Sequence, residues 1–134
     1  MEIITKQSVL IIDDDHAEVM ITRRAISKIA PELGTDVAYN GEAGLTLLRS
    51  GKTLPALILL DLKMPGLSGI DVLRQIRSDA RLKHLPVIII TNSTLEFDKQ
   101  ESIEAGADSY LHKTFEIAQF IRDIKVLLEH HLTN

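Results

Sequence analysis

The sequence predicts an α/β protein in which five parallel strands alternate with five helices, the helices covering both faces of one doubly wound sheet. Three observations lead there. Short runs such as Ala56-Leu57-Ile58-Leu59-Leu60 and Val87-Ile88-Ile89-Ile90 are apolar throughout, as strands buried on both faces must be. The stretches between them carry apolar residues three and four apart, the period of an amphipathic helix. At 134 residues, with 45% hydrophobic and 25% charged residues, the whole chain, 1–134, has the size and composition of one globular domain with a sizeable core.

The first strand is Val9-Leu10-Ile11-Ile12, after a short lead-in over residues 1–7. Asp15 is placed to cap a helix from His16 to Ile29, with Val19, Met20, Ala25, Ile26 and Ile29 on its apolar face. Pro31 and Gly34 end that helix, and Asp36-Val37-Ala38-Tyr39 forms the second strand. Asn40-Gly41 turns the chain into a helix from Glu42 to Arg49, with Ala43, Leu47 and Leu48 inward and Gly51 as its stop. The third strand follows Pro55 and ends at Asp61, before the turn Met64-Pro65-Gly66. Ser68-Gly69 opens a helix whose Ile70, Val72, Leu73 and Ile76 face inward. Residues 78–85 read as a charged connection to the fourth strand, which ends at Thr91-Asn92-Ser93. A weakly apolar helix from Leu95 to Ala105 stops at Gly106. Ser109-Tyr110-Leu111-His112-Lys113 is the last strand, and Phe115 to His130 the last helix, with Ile117, Phe120, Ile121, Ile124, Leu127 and Leu128 on one face.

Composition removes several function classes. A net charge of −4 without a dense Lys/Arg block argues against direct DNA binding, and the scarcity of aromatics removes a stacking platform for single strands. The absence of cysteine excludes disulfides, thiolate metal sites and cysteine nucleophiles. Met1 to Ser8 lacks the basic and apolar regions of a signal peptide, and no apolar stretch approaches the ~20 residues needed to span a membrane. A cytoplasmic protein without membrane insertion is expected.

Parallel strands joined by crossovers put their carboxyl ends on one edge, where ligands of such sheets bind. Asp13, Asp14, Asp61, Thr91 and Lys113 lie at or just beyond four of those ends. Each has an ordinary reading alone: an Asp at a strand end is commonly a turn former, Thr91 a helix cap, Lys113 an edge-strand charge. Together they form a different set. Converging carboxylates repel and favour a hard divalent cation, with Mg2+ taking one or two of them. Thr91 offers a hydroxyl and Lys113 a compact positive charge for phosphate. Acid, metal, hydroxyl and ammonium suit phosphoryl transfer to an Asp nucleophile. The five histidines have no metal-ligand spacing.

These segments resemble the receiver domain of two-component response regulators. Ile11-Ile12-Asp13-Asp14 is similar to the family's acidic pair, Leu59-Leu60-Asp61-Leu62-Lys63-Met64-Pro65-Gly66 to its phosphoacceptor signature, Ile89-Ile90-Thr91 to its switch strand, and Ala105-Gly106-Ala107-Asp108-Ser109-Tyr110-Leu111-His112-Lys113 to its closing segment. The resemblance covers residues 8 to 130. It implies a flavodoxin-like sheet of order 2-1-3-4-5. It implies that Asp61 takes a phosphoryl group from a histidine kinase or histidine phosphotransfer protein. Asp14, Asp61 and the backbone carbonyl of Lys63 would bind Mg2+, Asp13 would hold a metal-bound water, and Thr91 and Lys113 would contact phosphoryl oxygens. Thr91 and Tyr110 would form the switch, re-shaping the face of the fourth helix, last strand and last helix, with His112 on Tyr110's side.

Two positions depart from the pattern. Thr114 stands where the family usually has Pro after the Lys; a cis bond there would cost about 2.5–4 kcal/mol, which favours a trans bond and a rearranged loop but leaves the isomer open, and this bears on the reach of Lys113. Asn92 replaces a small residue after the switch Thr and is expected to narrow access to the phosphoryl group, with Lys63 and Ser93 flanking the same opening. Because the sequence ends soon after the last helix, a stand-alone regulator acting through protein contacts is expected, either as an endpoint switch, a relay intermediate or a phosphate sink. Two rivals are a Mg2+-dependent phosphohydrolase, disfavoured because Lys63 stands where a second acid would serve, and a receiver that binds partners without phosphorylation. Leu127, Leu128 and Leu132 form a fringe suited to a homodimer if they are not used in packing.

Overall fold

The structure, a computed structural model, describes residues 7–51, 53–114 and 116–132. Its elements are β1 (Ser8–Ile12), α1 (His16–Ile29), β2 (Gly34–Ala38), α2 (Gly41–Ser50), β3 (Leu57–Asp61), α3 (Gly69–Ser78), β4 (Val87–Thr91), α4 (Glu96–Glu104), β5 (Ser109–His112) and α5 (Ile117–Leu132). The five strands form one parallel sheet in the order β2-β1-β3-β4-β5. This is the flavodoxin-like order expected.

The period-2 alternation of a strand divides the core into two layers. Leu10, Ile12, Ile58, Leu60 and Ile89 point to one face and pack with Leu45 and Leu48 of α2 and Leu73 and Ile76 of α3. Val9, Ile11, Leu57, Leu59, Ile88 and Ile90 point to the other and pack with Val19 and Ile26 of α1 and Phe120, Ile124 and Leu128 of α5. Every residue of β3 and β4 is buried, which is why those strands are apolar without interruption up to their last residues, Asp61 and Thr91.

Local chemistry fixes where the helices start. Asp15 caps α1 by accepting from the Glu18 amide at 3.0 Å, and Asn40 caps α2 through the Ala43 amide at 2.7 Å. Ser68 and Asp71 form a reciprocal capping box on α3. Two glycines serve the turn that follows Asp61. Gly66 has φ +77°, a conformation that side chains resist. Gly69 is required for proximity: a Cβ there would lie 2.3 Å from the Asp61 carbonyl oxygen.

Several inward assignments shift. Met20, Leu47 and Ile117 are exposed, at 53%, 46% and 49%. In α2 the buried positions are Gly41, Gly44, Leu45 and Leu48, so the inward stripe passes through Leu45, and Ala43 is half-buried. Phe115, read as the start of the last helix, lies outside the described residues, as do residues 1–6 of the lead-in. Leu128 is buried, and Leu127 and Leu132 pack against the α1–α5 layer.

The connection over residues 78–85 contributes more than charge. Leu82 and Leu85 are buried in the core. Arg81 donates to the carbonyls of Leu48, Arg49 and Gly51, satisfying the open end of α2. Arg77 gathers the opposite edge of the sheet from Asp61: it donates to the carbonyls of Gly106 (2.9 Å), Lys83 (3.1 Å) and Leu85 (2.8 Å) and pairs with Asp108 at 2.9 Å. Asp108 in turn accepts from the Val87 amide at 2.8 Å, at the start of β4. Replacing Arg77 by Ala leaves these acceptors short of a donor and is expected to destabilise the protein by about 2–3 kcal/mol in urea unfolding. A loss below about 0.5 kcal/mol would mean the network is a surface decoration.

Candidate functional site

The carboxyl ends of β1, β3 and β4, with the residue after β5, meet at one edge of the sheet. Asp61 ends β3 and is 8% exposed; Asp13 follows β1 and is 5% exposed. Lys113 continues the β5 ladder, its amide donating to the Thr91 carbonyl at 2.7 Å. Its ammonium lies among the acids, 3.1 Å from Asp13 Oδ2, 3.5 Å from Asp61 Oδ1 and in contact with Glu18 Oε2. The Lys113–Thr114 peptide, which the sequence left open, is trans, and Lys113 reaches Asp61 all the same.

Glu18, Asp61 and Lys113 form the wall of a cleft of about 550 Å3, lined also by Asp14, Lys63, Thr91, Asn92 and Asp98. One carboxylate oxygen from each of Asp13, Glu18 and Asp61 lies within 4.8 Å of the other two. Asp14 lines the cleft without belonging to that trio, and Asp15 caps α1. The all-oxygen donor set fits a hard divalent cation. Electrostatics agree. Burial pushes the Asp61 carboxyl up to about 7, Lys113 pulling it down while Asp13, Glu18 and Asp14 push it further up. Burial also raises Asp13, against the pull of the Asp15 amide and Lys113. Burial works to lower Lys113, but the acids around it, Glu18 foremost, hold its ammonium above the ordinary lysine range.

The β4–α4 loop closes the other side. Thr91 is buried, and its hydroxyl oxygen accepts from the Ser93 amide at 3.1 Å. Ser93 donates to Asp98 at 2.5 Å, and Asp98 also faces the Lys63 ammonium at 3.4 Å. The Lys63 side chain thus turns to Asp98 of α4, and both residues line the cleft. Tyr110 is half-buried against the α2–α3 layer, its hydroxyl donating to the Ser93 carbonyl at 3.4 Å. His112, on the same face of β5, has its ring on the Asn92 carbonyl at 3.1 Å. The two predicted switch residues thus meet the same loop residue, Thr91 at its amide and Tyr110 at its carbonyl.

Two acids were missed by sequence reasoning. Glu18 is three residues beyond the Asp15 cap, a position that reads as first-turn complementarity to the helix dipole. The available signal was its place in the first turn after the acidic strand end, which points a long side chain over the site. Asp98 sits in a polar helix and gave no signal, yet it is 4% exposed.

Comparison with known proteins follows this geometry. The chain matches the response regulator receiver domain family over residues 9–125. It is 36% identical over 118 residues to the chemotaxis protein CheY of Pseudomonas aeruginosa, covering 86% of this chain and 90% of that one. It is 31% identical over 122 residues to the polar-differentiation response regulator DivK of Brucella anthropi, covering 91% and 96%. Among solved structures, the phosphorylated cyanobacterial phytochrome response regulator RcpA superposes with a TM-score of 0.89 at 25% identity, covering 96% of each chain.

The raised Asp61 carboxyl makes a stability prediction. Its folded value of about 7 exceeds the ordinary 3.8, so between those values the folded state binds the proton that the unfolded state has lost. Stability from this group falls as pH rises through that window and stays low above it. Asp61→Asn, measured with chelator present, is expected to stabilise the protein by about 1–2 kcal/mol at pH 8 and to have no effect at pH 4. Equal melting curves at pH 8 would contradict the crowding of charge described above.

Proposed function

Because the chain belongs to the response regulator receiver family, we propose that it is a phosphorylation-dependent switch in which Asp61 is the acceptor. Receivers are signalling proteins that take phosphoryl groups from histidine kinases or histidine phosphotransfer proteins. The observation that carries the reading is the convergence on Asp61: a buried carboxylate facing an open cleft, with an ammonium 3.5 Å away and Thr91 lining the same cleft.

In this reading an Asp61 oxygen attacks phosphorus in line with the phosphohistidine. The new P–O bond forms as the P–N bond breaks, and the electron pair leaves on the imidazole nitrogen. Lys113 and Thr91 contact the equatorial oxygens and compensate their charge. Asp14, Asp61 and the Lys63 backbone carbonyl would hold Mg2+, with Asp13 serving it through a water. When bound, the cation supplies neutralisation of the phosphoryl oxygens and of the crowded acids. The acyl phosphate then ends by attack of water on phosphorus, which returns the Asp61 carboxylate.

The switch lies in the loop that Thr91 and Tyr110 share. A Thr91 hydroxyl drawn to the phosphoryl group gives up the Ser93 amide, and Tyr110 holds the carbonyl of that same residue. Leu95, Phe97 and Ile103, exposed at 62%, 69% and 54% on or beside α4, make this face suited to a protein target. An endpoint regulator, a relay intermediate and a phosphate sink all use this chemistry; we place any of them in the cytoplasm. A phosphohydrolase is not favoured, since Lys63 occupies the place of a second acid and turns its ammonium to Asp98.

Incubation with Mg2+ and acetyl phosphate is expected to add one base-labile phosphoryl group, read by intact-protein mass. Chelation of the metal and Asp61→Asn should each abolish it. A gain that survives Asp61→Asn would move the acceptor elsewhere, and multiple turnover of small phosphoesters would restore the phosphohydrolase.

A further inference from the structure

Glu18 stands apart from the acids that the proposed function uses. It lies in the first turn of α1, fixed there by the Asp15 cap on its own amide. Both of its carboxylate oxygens are engaged: Oε2 contacts the Lys113 ammonium, and Oε1 accepts from Asn92 Nδ2 at 3.1 Å. One side chain thereby ties α1 to the β4–α4 loop and to the end of β5. Among the three acids around Lys113, Asp61 is the most distant at 3.5 Å, and Glu18 is the nearest.

We propose that Glu18 is a positioning residue that competes with Asp61 for the Lys113 ammonium and so sets how readily the site accepts a phosphoryl group. The inference rests on Asp61 being the acceptor. The reason is competition for one cation. Asp13, Glu18 and Asp61 place three carboxylates around a single ammonium, and Asp14 adds its charge to the crowding felt by Asp61. An entering phosphoryl group is itself anionic and must take Lys113 from Glu18 while approaching the Glu18 charge. Asn92 keeps Glu18 in that place by donating to its second oxygen. The narrowing expected of Asn92 from the sequence thus takes a definite form: its amide holds a charge over the opening.

Glu18→Gln tests this with little change of shape, because the amide oxygen can still accept from Asn92 while the charge opposing Lys113 is gone. Two readings are made on the whole chain with saturating Mg2+: affinity for beryllofluoride, a non-covalent phosphoryl mimic followed by fluorine NMR, and the initial rate of mass gain from acetyl phosphate. In the second, the Asp61 oxygen bonds to phosphorus and acetate departs with the electron pair of the broken P–O bond. Both are expected to improve about tenfold, the size of one unit charge a few Å from an incoming anion in a largely solvated site. The difference should shrink in high salt, as an effect of packing would not. Asn92→Ala, which leaves the charge but unfastens it, should give a gain in the same direction of about two- to threefold.

Unchanged or weaker beryllofluoride binding in both variants overturns the proposal. So does a tenfold loss of Mg2+ affinity in Glu18→Gln, which would make Glu18 a metal ligand. If the wild-type chain takes neither beryllofluoride nor phosphoryl, the acceptor reading falls and this inference with it. A wild type that takes both, beside a flat Glu18→Gln, overturns the inference alone.

Discussion

Lys113 has to cross the sheet to reach its acids. It follows the edge strand β5, and Asp61 ends β3, two strand spacings away, roughly 10 Å between backbones. A lysine stem together with an Asp side chain spans that gap only if the ammonium extends along the carboxyl edge of the sheet, over the end of β4. There it meets carboxylates from β3, from the β1–α1 junction and from α1. Without it the acids would be buried beside one another with no opposite charge. The parallel order creates the crowding, because every strand delivers its last residue to the same edge. It also supplies the remedy, because β5 delivers a cation there too.

The same edge explains the contrast between the two sides of the cleft. On the β1 and β3 side the groups are carboxylates, of which Asp13 and Asp61 are buried and raised in proton affinity. On the β4 side they are hydroxyls and backbone groups, Thr91 and Ser93, anchored by the buried Asp98. Acids compete for cations and protons; hydroxyls exchange partners at little cost. The first side suits the capture of a charged group, and the second suits a change of contacts once that group has arrived.

The strands, their order and most of the site were legible because they rest on strong local signals. An apolar run ending in Asp61 has few alternatives in a parallel sheet, and Asp15 and Ser68 announce their helices by capping chemistry. The inward faces of short helices were less legible. In α2 the apolar residues leave the phase weakly determined: Leu45 and Leu47 lie on nearly opposite sides of the helix, either can share a face with Leu48, and packing selects Leu45. Met20 adjoins the buried Val19 but falls off the packed face, and Ile117 lies in the first turn of α5. Glu18 and Asp98 were hard to read for a different reason. Glu18 depends on partners 74 and more positions away, so its first-turn place gave a direction without a partner, and Asp98 depends on burial of a polar helix, which leaves no local pattern. Thr114 shows the limit of a motif: the usual Pro is absent, and Lys113 still arrives, because the β4–β5 ladder carries its backbone to the site.

The tight seat of Gly69 against the Asp61 carbonyl has a consequence for directionality. No side chain fits between the end of β3 and the start of α3, and the capping box pins that helix from its first residue. Asp61 is thus mounted on an anvil: strand end, turn and helix start are packed as one piece, and under the proposed function that piece would not recoil when a charge lands on it. At the opposite edge of the sheet, Arg77 bolts α3 to the beginnings of β4 and β5. With those two places held, the compliant path leads through the loop after Thr91 towards α4. Under the proposed function the molecule would work as a one-way transmission, its output direction decided by where the scaffold is most tightly held.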